Sequence, residues 1–286
     1  MAYNAGSDPT LAEQITAGFV PAVWSKQYLN TAMRKLVCYD SFNTSFKSDL
    51  RKGYIVTIPV FTAAANTEVT PGTEVVAGDL ATTPVTITVD KWQYSAAEIS
   101  DLIEIEMLAD YLKGSVQELS QSIMKAIDLD VSSLFSTLGG STFVNADGAT
   151  FTDDTFIDLT EVLDEADVPD DGLRSLIGDP STRADMMKID KFVRMDYING
   201  APATNGKFGI LYNATVKITN NLTATTTGNY GVLAHRDAIG LVIQSNPRLR
   251  TYNMGYKFIT KIAMDAAWGA DEIRDGFGKS FYTRKK

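Results

Sequence analysis

Gly53-Tyr-Ile-Val-Thr-Ile-Pro-Val60 and Val85-Thr-Ile-Thr-Val-Asp-Lys-Trp-Gln-Tyr94 bracket the stretch that decides how this chain folds. Val56, Ile58 and Val60 fall on one face of the first segment, because strand side chains alternate with period two. Pro59 cannot donate to a ladder, so the segment is an edge or ribbon strand. In the second segment Val85, Ile87 and Val89 alternate with Thr86 and Thr88, the pattern of a half-buried returning strand. Between them run Phe61 to Pro84, too long for a tight turn and too poor in large apolar residues to pack a core. Residues 61–90 hold Glu68, Glu74, Asp79 and Asp90 and no Lys, Arg or His. Loops longer than about 12–15 residues in a compact domain are usually functional or disordered. An acidic, coreless hairpin that projects needs a partner surface; the plainer reading is a solvated loop.

After Ser100 the period changes. Leu102, Ile105, Leu108, Leu112, Val116, Leu119, Ile123, Ile127, Val131, Leu134 and Leu138 recur at steps of three and four, one apolar stripe along a helix. Unbroken, that helix is roughly 50 Å long. Gly139-Gly140 ends it. The steps contain successive fours and no strict heptad, so the stripe packs on a sheet and is not a coiled-coil seam.

Outward from this centre, residues 1–50 read as an arm. Pro9 and Pro21 punctuate it, and Trp24, Tyr28, Phe42 and Phe46 give it apolar handles for docking on another body. Residues 150–245 alternate helix and strand: a helix over 155–167, a buried strand at 173–178, a helix opened by Asp179-Pro180, and strands near 214–219, 231–234 and 241–245. The alternation from Tyr256 to Met264 predicts a strand that returns to pair beside the long helix. Residues 101–139 and 246–286 then form one unit with 150–245 inserted between them, and the class is α+β.

The chain has 286 residues, 44% hydrophobic and 21% charged, as expected of a folded protein. Its single cysteine, Cys38, excludes an internal disulfide framework and reads as a buried small hydrophobe. No apolar run reaches the length of a membrane span, and the N-terminus lacks signal-peptide regions. Use in the cytoplasm is the expectation. The net charge of −9 opposes general nucleic-acid binding. The acids crowded between Asp153 and Asp171 lack the spacing of a calcium loop and read as a solvated helix face.

Catalytic signatures are missing. There is no nucleophile elbow, and the lone His235, at a strand-to-helix junction, reads as a capping residue. Asp275-Gly-Phe-Gly-Lys-Ser280 ends like a phosphate loop, but Ile273 stands where the first glycine belongs. One Cys and one His do not make a zinc site. No catalytic, metal or cofactor residue is assigned.

Several segments resemble the major capsid proteins of tailed bacteriophages. Phe19-Val-Pro-Ala-Val-Trp24 is similar to the start of that family's N-terminal arm, and Gly53–Pro59 through Val85–Lys91 to its extended loop. Ser95-Ala-Ala-Glu-Ile-Ser-Asp101 leads into what resembles its spine helix. Gly206-Lys-Phe-Gly-Ile-Leu-Tyr212 with Thr219-Asn-Asn-Leu222 is similar to the strand and turn late in its axial domain, and Ala234-His-Arg-Asp-Ala238 resembles a segment that recurs in the family. The resemblance implies a Hong Kong-97-like fold: arm 1–50, extended loop 51–96, peripheral domain with spine helix 97–149, axial domain 150–245 and a peripheral return over 246–286.

It also implies a non-enzymatic shell subunit, forming hexamers and pentamers around packaged double-stranded DNA in a virion capsid. The partners it implies are copies of the chain, a portal protein, a decoration protein and, because Met1 stands just before the arm, a separate scaffolding protein. Glu68, Glu74 or Asp79 is expected to meet Lys or Arg of the next subunit, and Trp24, Tyr28 and Phe42 to dock the arm. The hairpin has no lysine between Lys52 and Lys91, so covalent crosslinking through the loop is not expected. An encapsulin-type compartment shares the fold, and a soluble hydrolase using acidic residues is the non-structural alternative.

Overall fold

The computed structural model describes residues 37–48, 53–61, 66, 68–69, 71–72, 74, 82–100, 111–189, 209–255 and 257–284. Within them are a two-stranded ribbon, a three-stranded sheet and a five-stranded sheet.

The ribbon pairs β1 (Ile55–Phe61) antiparallel with β2 (Thr82–Thr88), and Pro59 sits opposite Pro84. Neither proline can donate, and a free two-stranded ribbon tolerates both. Val56 and Ile87 are buried on the expected face. The returning strand does not run unbroken to Tyr94 as the alternation suggests. Val89 N–H donates to Tyr54 O at 2.8 Å and closes the ribbon. The chain then starts β3 (Lys91–Ser100), which pairs with another strand altogether. Residues 91–96 therefore belong to a sheet and not to the extended loop.

That sheet has the order β3-β9-β8, antiparallel throughout, with β8 at Ile239–Met254 and β9 at Ile259–Glu272. One of its faces packs on the long helix, here α2 (Tyr111–Ser133); α1 is the short turn Cys38–Ser41. Residues 101–110 lie outside the described residues. Leu119, Ile123, Ile127 and Val131 are buried against Ile99, Ile262, Met264, Ala266 and Trp268. The stripe shifts at its end. Steps of four from Ile123 through Ile127 and Val131 lead to the fully buried Phe135 and leave Leu134 only half-buried, and a tighter 3₁₀ turn follows over Leu134–Ser136. From Phe135 the next buried position, Leu138, follows at a step of three, the period of the tighter turn. Gly139 and Gly140 both have φ +72° and stop the helix where expected.

The five-stranded sheet has the order β10-β7-β4-β6-β5. Its members are β4 (Arg174–Gly178), β5 (Ile210–Leu211), β6 (Ala214–Ile218), β7 (Tyr230–His235) and β10 (Gly278–Tyr282); only β4 and β6 are parallel. Helices α3 (Asp153–Glu165) and α4 (Pro180–Met186) cover one face through Phe156, Leu159, Leu163 and Met186. Thr152 caps α3 by accepting from Thr155 N–H, and Asp179 caps α4 by accepting from Thr182 N–H. The acids of α3 largely face solvent as expected, though Asp164 reaches the buried Arg174 at 2.7 Å and Asp153 accepts from the Tyr212 hydroxyl at 3.0 Å.

Two domain boundaries read from the sequence are corrected here. β8 begins at Ile239, so residues 239–245 already belong to the three-stranded sheet. The chain end does not stay with that sheet: β10 crosses back and pairs with β7. Gly278 allows the crossing, because a Cβ there would stand 2.0 Å from Leu138 Cδ2. Arg284, the last described residue, is held as well. Arg284 Nε donates to Asp185 Oδ2 at 2.7 Å, and that carboxylate is 1% exposed.

Candidate functional site

The ribbon base is seated on the outer face of the three-stranded sheet, opposite the helix. Val56 and Ile87 pack on Val242, with Ile58, Val89 and Ile273 around them. Leu241 and Ile243, which flank Val242, face the helix core instead, so alternation along β8 splits its side chains between two cores. Closeness is set by Gly269, paired with Val242 across the ladder. A Cβ at 269 would stand 2.1 Å from Thr88 O, so only glycine lets β2 pass. Gln244 Nε2 donates to Gly53 O at 2.7 Å and fixes the strand entry.

Away from this base the ribbon leaves the body. Val56 is buried, Ile58 and Val60 are half-buried, and Phe61 is 65% exposed. Pro71 and Gly72 form a turn, flanked by Glu68, Val69 and Glu74, all exposed. Two of the three loop acids named from the sequence are thus on a projecting segment; Asp79 lies outside the described residues.

The arm handles divide. Trp24 and Tyr28 lie outside the described residues. Phe42 is 2% exposed and meets Phe135 with ring centroids 5.9 Å apart, inside the chain's own core. The arm root is tied down in cis, contrary to the expectation of docking elsewhere. Tyr39 N–H donates to the buried Asp128 Oδ1 at 3.1 Å, and Lys217 Nζ donates to Ser41 Oγ at 2.9 Å. Asn43 bridges to Gly240, its N–H on Ile239 O and its carbonyl receiving Leu241 N–H. Cys38 is fully buried, and burial followed by the nearby Asp128 pushes its thiol pKa well up.

A second surface escaped the sequence reading. On the outer sheet face, past the ribbon base, Asp265 lies opposite Tyr94 on β3 and Arg248 on β8. Arg248 Nη2 donates to Asp265 Oδ2 at 2.7 Å, Arg250 Nε to Oδ1 at 3.1 Å, and Trp92 Nε1 to Oδ2 at 3.2 Å. The Arg248 hydrogen bond, foremost, holds the Asp265 carboxyl below its ordinary pKa, with Trp92 and Arg250 adding to it. Trp92, Tyr94 and Tyr252 stay largely in solvent. The available signal was the alternation Trp92-x-Tyr94 and Arg248-x-Arg250-x-Tyr252, which places like residues on one face of each strand.

Chemistry gains no foothold among the described residues. His235 is buried with both ring nitrogens engaged: Nδ1 accepts from Asp237 N–H at 3.2 Å and Nε2 lies 3.3 Å from Asp171. Lys279 donates to Gly139 O at 3.1 Å and so finishes the long helix. No cluster of three His, Cys, Asp or Glu able to hold a metal occurs among the described residues. The groove beside α3, lined by Ile157, Glu161, Asp164, Glu165 and Tyr212, is open and acidic. No helix among them is long and apolar enough to cross a membrane.

No family model matches the sequence, and no curated protein matches it. Solved structures do. A chain from Mycobacterium phage Che8 aligns with TM-score 0.79 at 19% identity, over 92% of this chain and 97% of that one. The capsid of cyanophage P-SCSP1u aligns with TM-score 0.75 at 13% identity, over 95% of each chain. The capsid of an empty GTA particle aligns with TM-score 0.71 at 13% identity, over 96% of this chain and all of that one. The chain has the fold of these phage and capsid structures, the Hong Kong-97-like fold.

Proposed function

We propose that this chain is the major capsid protein of a tailed bacteriophage. The observation that carries the reading is the match over more than nine-tenths of the chain with phage structures, a cyanophage capsid among them. Such a subunit assembles into hexamers and pentamers of an icosahedral head in the host cytoplasm and encloses double-stranded DNA without binding it specifically. A net charge of −9 suits that task, since phosphate affinity grows with each neutralising cation. A separate scaffolding protein and a portal protein take part, a decoration protein binds outside, and the role is structural rather than enzymatic. Glu68, Glu74 and Asp79 meet cations of a neighbouring copy, and Trp24 and Tyr28 dock the arm.

Electron microscopy of the protein, expressed with and without its neighbouring genes, tests this. Closed shells or capsomer rings are expected, with DNA inside when the packaging genes are present. Protein cargo in their place would point to a nanocompartment. Small monodisperse particles under every condition would refute the shell reading.

A further inference from the structure

The chain passes from the five-stranded sheet to the three-stranded sheet through the short turn Arg236–Ala238, between β7 and β8. The second crossing, between β9 and β10, lies against it: Ile273 N–H and Arg274 N–H both donate to Ala238 O, at 2.8 and 3.2 Å. His235, the only histidine of the chain, caps this joint and is 2% exposed. Its Nδ1 accepts from Asp237 N–H at 3.2 Å, so the neutral ring carries its hydrogen on Nε2, toward Asp171 Oδ1 at 3.3 Å. Phe277 packs edge-on against the imidazole, with ring centroids 5.8 Å apart.

Two carboxylates face the ring. Asp171, from the loop before β4, has a side chain 44% exposed, and the Leu173 N–H, foremost, holds its carboxyl below the ordinary pKa, so it stays ionised beside the imidazole. Asp237, on the turn itself, has Oδ2 3.9 Å from Nδ1, while its Oδ1 accepts from Asn43 Nδ2 at 2.8 Å. Asn43 is the arm-root residue bridged to β8 through Ile239 O and Leu241 N–H. Among the described residues, three cations stand around the site. Arg174, the ladder partner of His235 on β4, is held by Val168 O, Pro169 O and Asp164. Arg274 sits 4.7 Å from the centroid of Phe277, and Arg236, next on the turn, is exposed.

A second proton changes what this ring can do. An imidazolium has a hydrogen on both nitrogens and no acceptor, so Nδ1 must release Asp237 N–H. The acceptor within reach of the new Nδ1–H is Asp237 Oδ2, on the same residue whose other oxygen holds Asn43. We infer that His235, Asp237 and Asn43 form a proton-sensitive latch on the arm root: with His235 neutral, Asp237 holds Asn43, and with His235 protonated, the Asp237 carboxylate turns to the ring and lets Asn43 go. Asp171 pairs with the charged ring, so both arrangements keep their buried nitrogens satisfied. The joint is therefore a two-state element biased by a proton. The latch lies within a single chain and does not rest on the shell reading.

Hydrogen exchange of the full chain, read by mass spectrometry, tests it at about pH 7.5 and about pH 5.5, the range in which imidazole ordinarily changes charge. Exchange times are scaled for the intrinsic pH dependence of amide exchange. In the parent, protection of the arm-root amides over 39–45 is expected to fall about fivefold at the lower pH, the scale of one hydrogen bond, while α3 keeps its protection. His235→Asn keeps an acceptor for Asp237 N–H and cannot be charged. Asp237→Asn keeps an acceptor for Asn43 and is not drawn by the charge of the ring. Both variants are expected to hold the same arm-root protection at the two pH values, and Asn43→Ala to lower it at both. Parent protection that does not change with pH overturns the latch. So does an equal loss in α3, which would be general loosening by acid, or a loss in His235→Asn that matches the parent's. If His235→Asn does not fold, Asp237→Asn decides, and a loss there as large as the parent's overturns the latch.

Discussion

Single residues hold the ends of this chain. Asp185 is almost fully buried, and burial, the largest influence, would raise its pKa; hydrogen bonds from Arg284, the Phe151 N–H and Lys188 together outweigh it and lower the pKa. Arg284→Ala strands the carboxylate, and a lower midpoint is expected in denaturant unfolding. The pH dependence follows from the sign of the shift. A depressed folded pKa contributes stability that is full above the unfolded value, about 4, and is lost as pH falls through the lower folded value. Arg284→Ala should therefore flatten the acid limb of the stability profile below about pH 4. Phe42 is the second such residue. Phe42→Ala removes the ring packed on Phe135 and is expected to cost about 3–5 kcal/mol. It should also make Cys38 react faster with a thiol reagent; an unchanged rate would mean that the arm root does not shield it. The burial of Cys38 was legible from its apolar neighbours. The pairing of Arg284 was not, since its partner lies 99 positions away.

At the scale of elements, the ribbon, the long helix and the buried strand β4 were readable from periodicity, because each repeats its apolar residues at the spacing its own backbone imposes. The break at Val89–Asp90 was not. Alternation continues through it unchanged, and only the change of pairing partner, from β1 to β9, separates β2 from β3. The seat of the ribbon yields the prediction for this scale. Gly269→Val drives a side chain into Thr88 O and should lift the ribbon base off the sheet. Limited proteolysis within residues 53–90 is expected to speed up at least severalfold, with overpacking costing about 1–3 kcal/mol in the body. Equal cleavage rates would show that β2 does not need the close approach.

For the whole molecule, the prediction concerns how copies hold together. With no lysine between Lys52 and Lys91, the extended loop has no amine to form an isopeptide bond. Assembled particles boiled in detergent should run as single chains. A ladder of covalent oligomers would refute this. If the loop acids meet cations of a neighbouring copy, particle assembly should weaken with salt, since exposed charges are screened over about 8–10 Å at physiological ionic strength. Particle yield that is indifferent to salt would place the dominant contacts elsewhere.

The sequence by itself determined the class of the fold, the projecting acidic ribbon, the helix it precedes and the poverty of catalytic groups, because these depend on spacing and composition along the chain. Tertiary structure alone decided that Phe42 seats in the chain's own core, that β10 returns to the five-stranded sheet, and that Trp92, Tyr94, Arg248 and Arg250 gather around Asp265. Each of these joins segments distant in sequence, and in each the deciding quantity is which surface lies against which. Local periodicity records that a face is apolar or charged; only the folded chain specifies what the face meets.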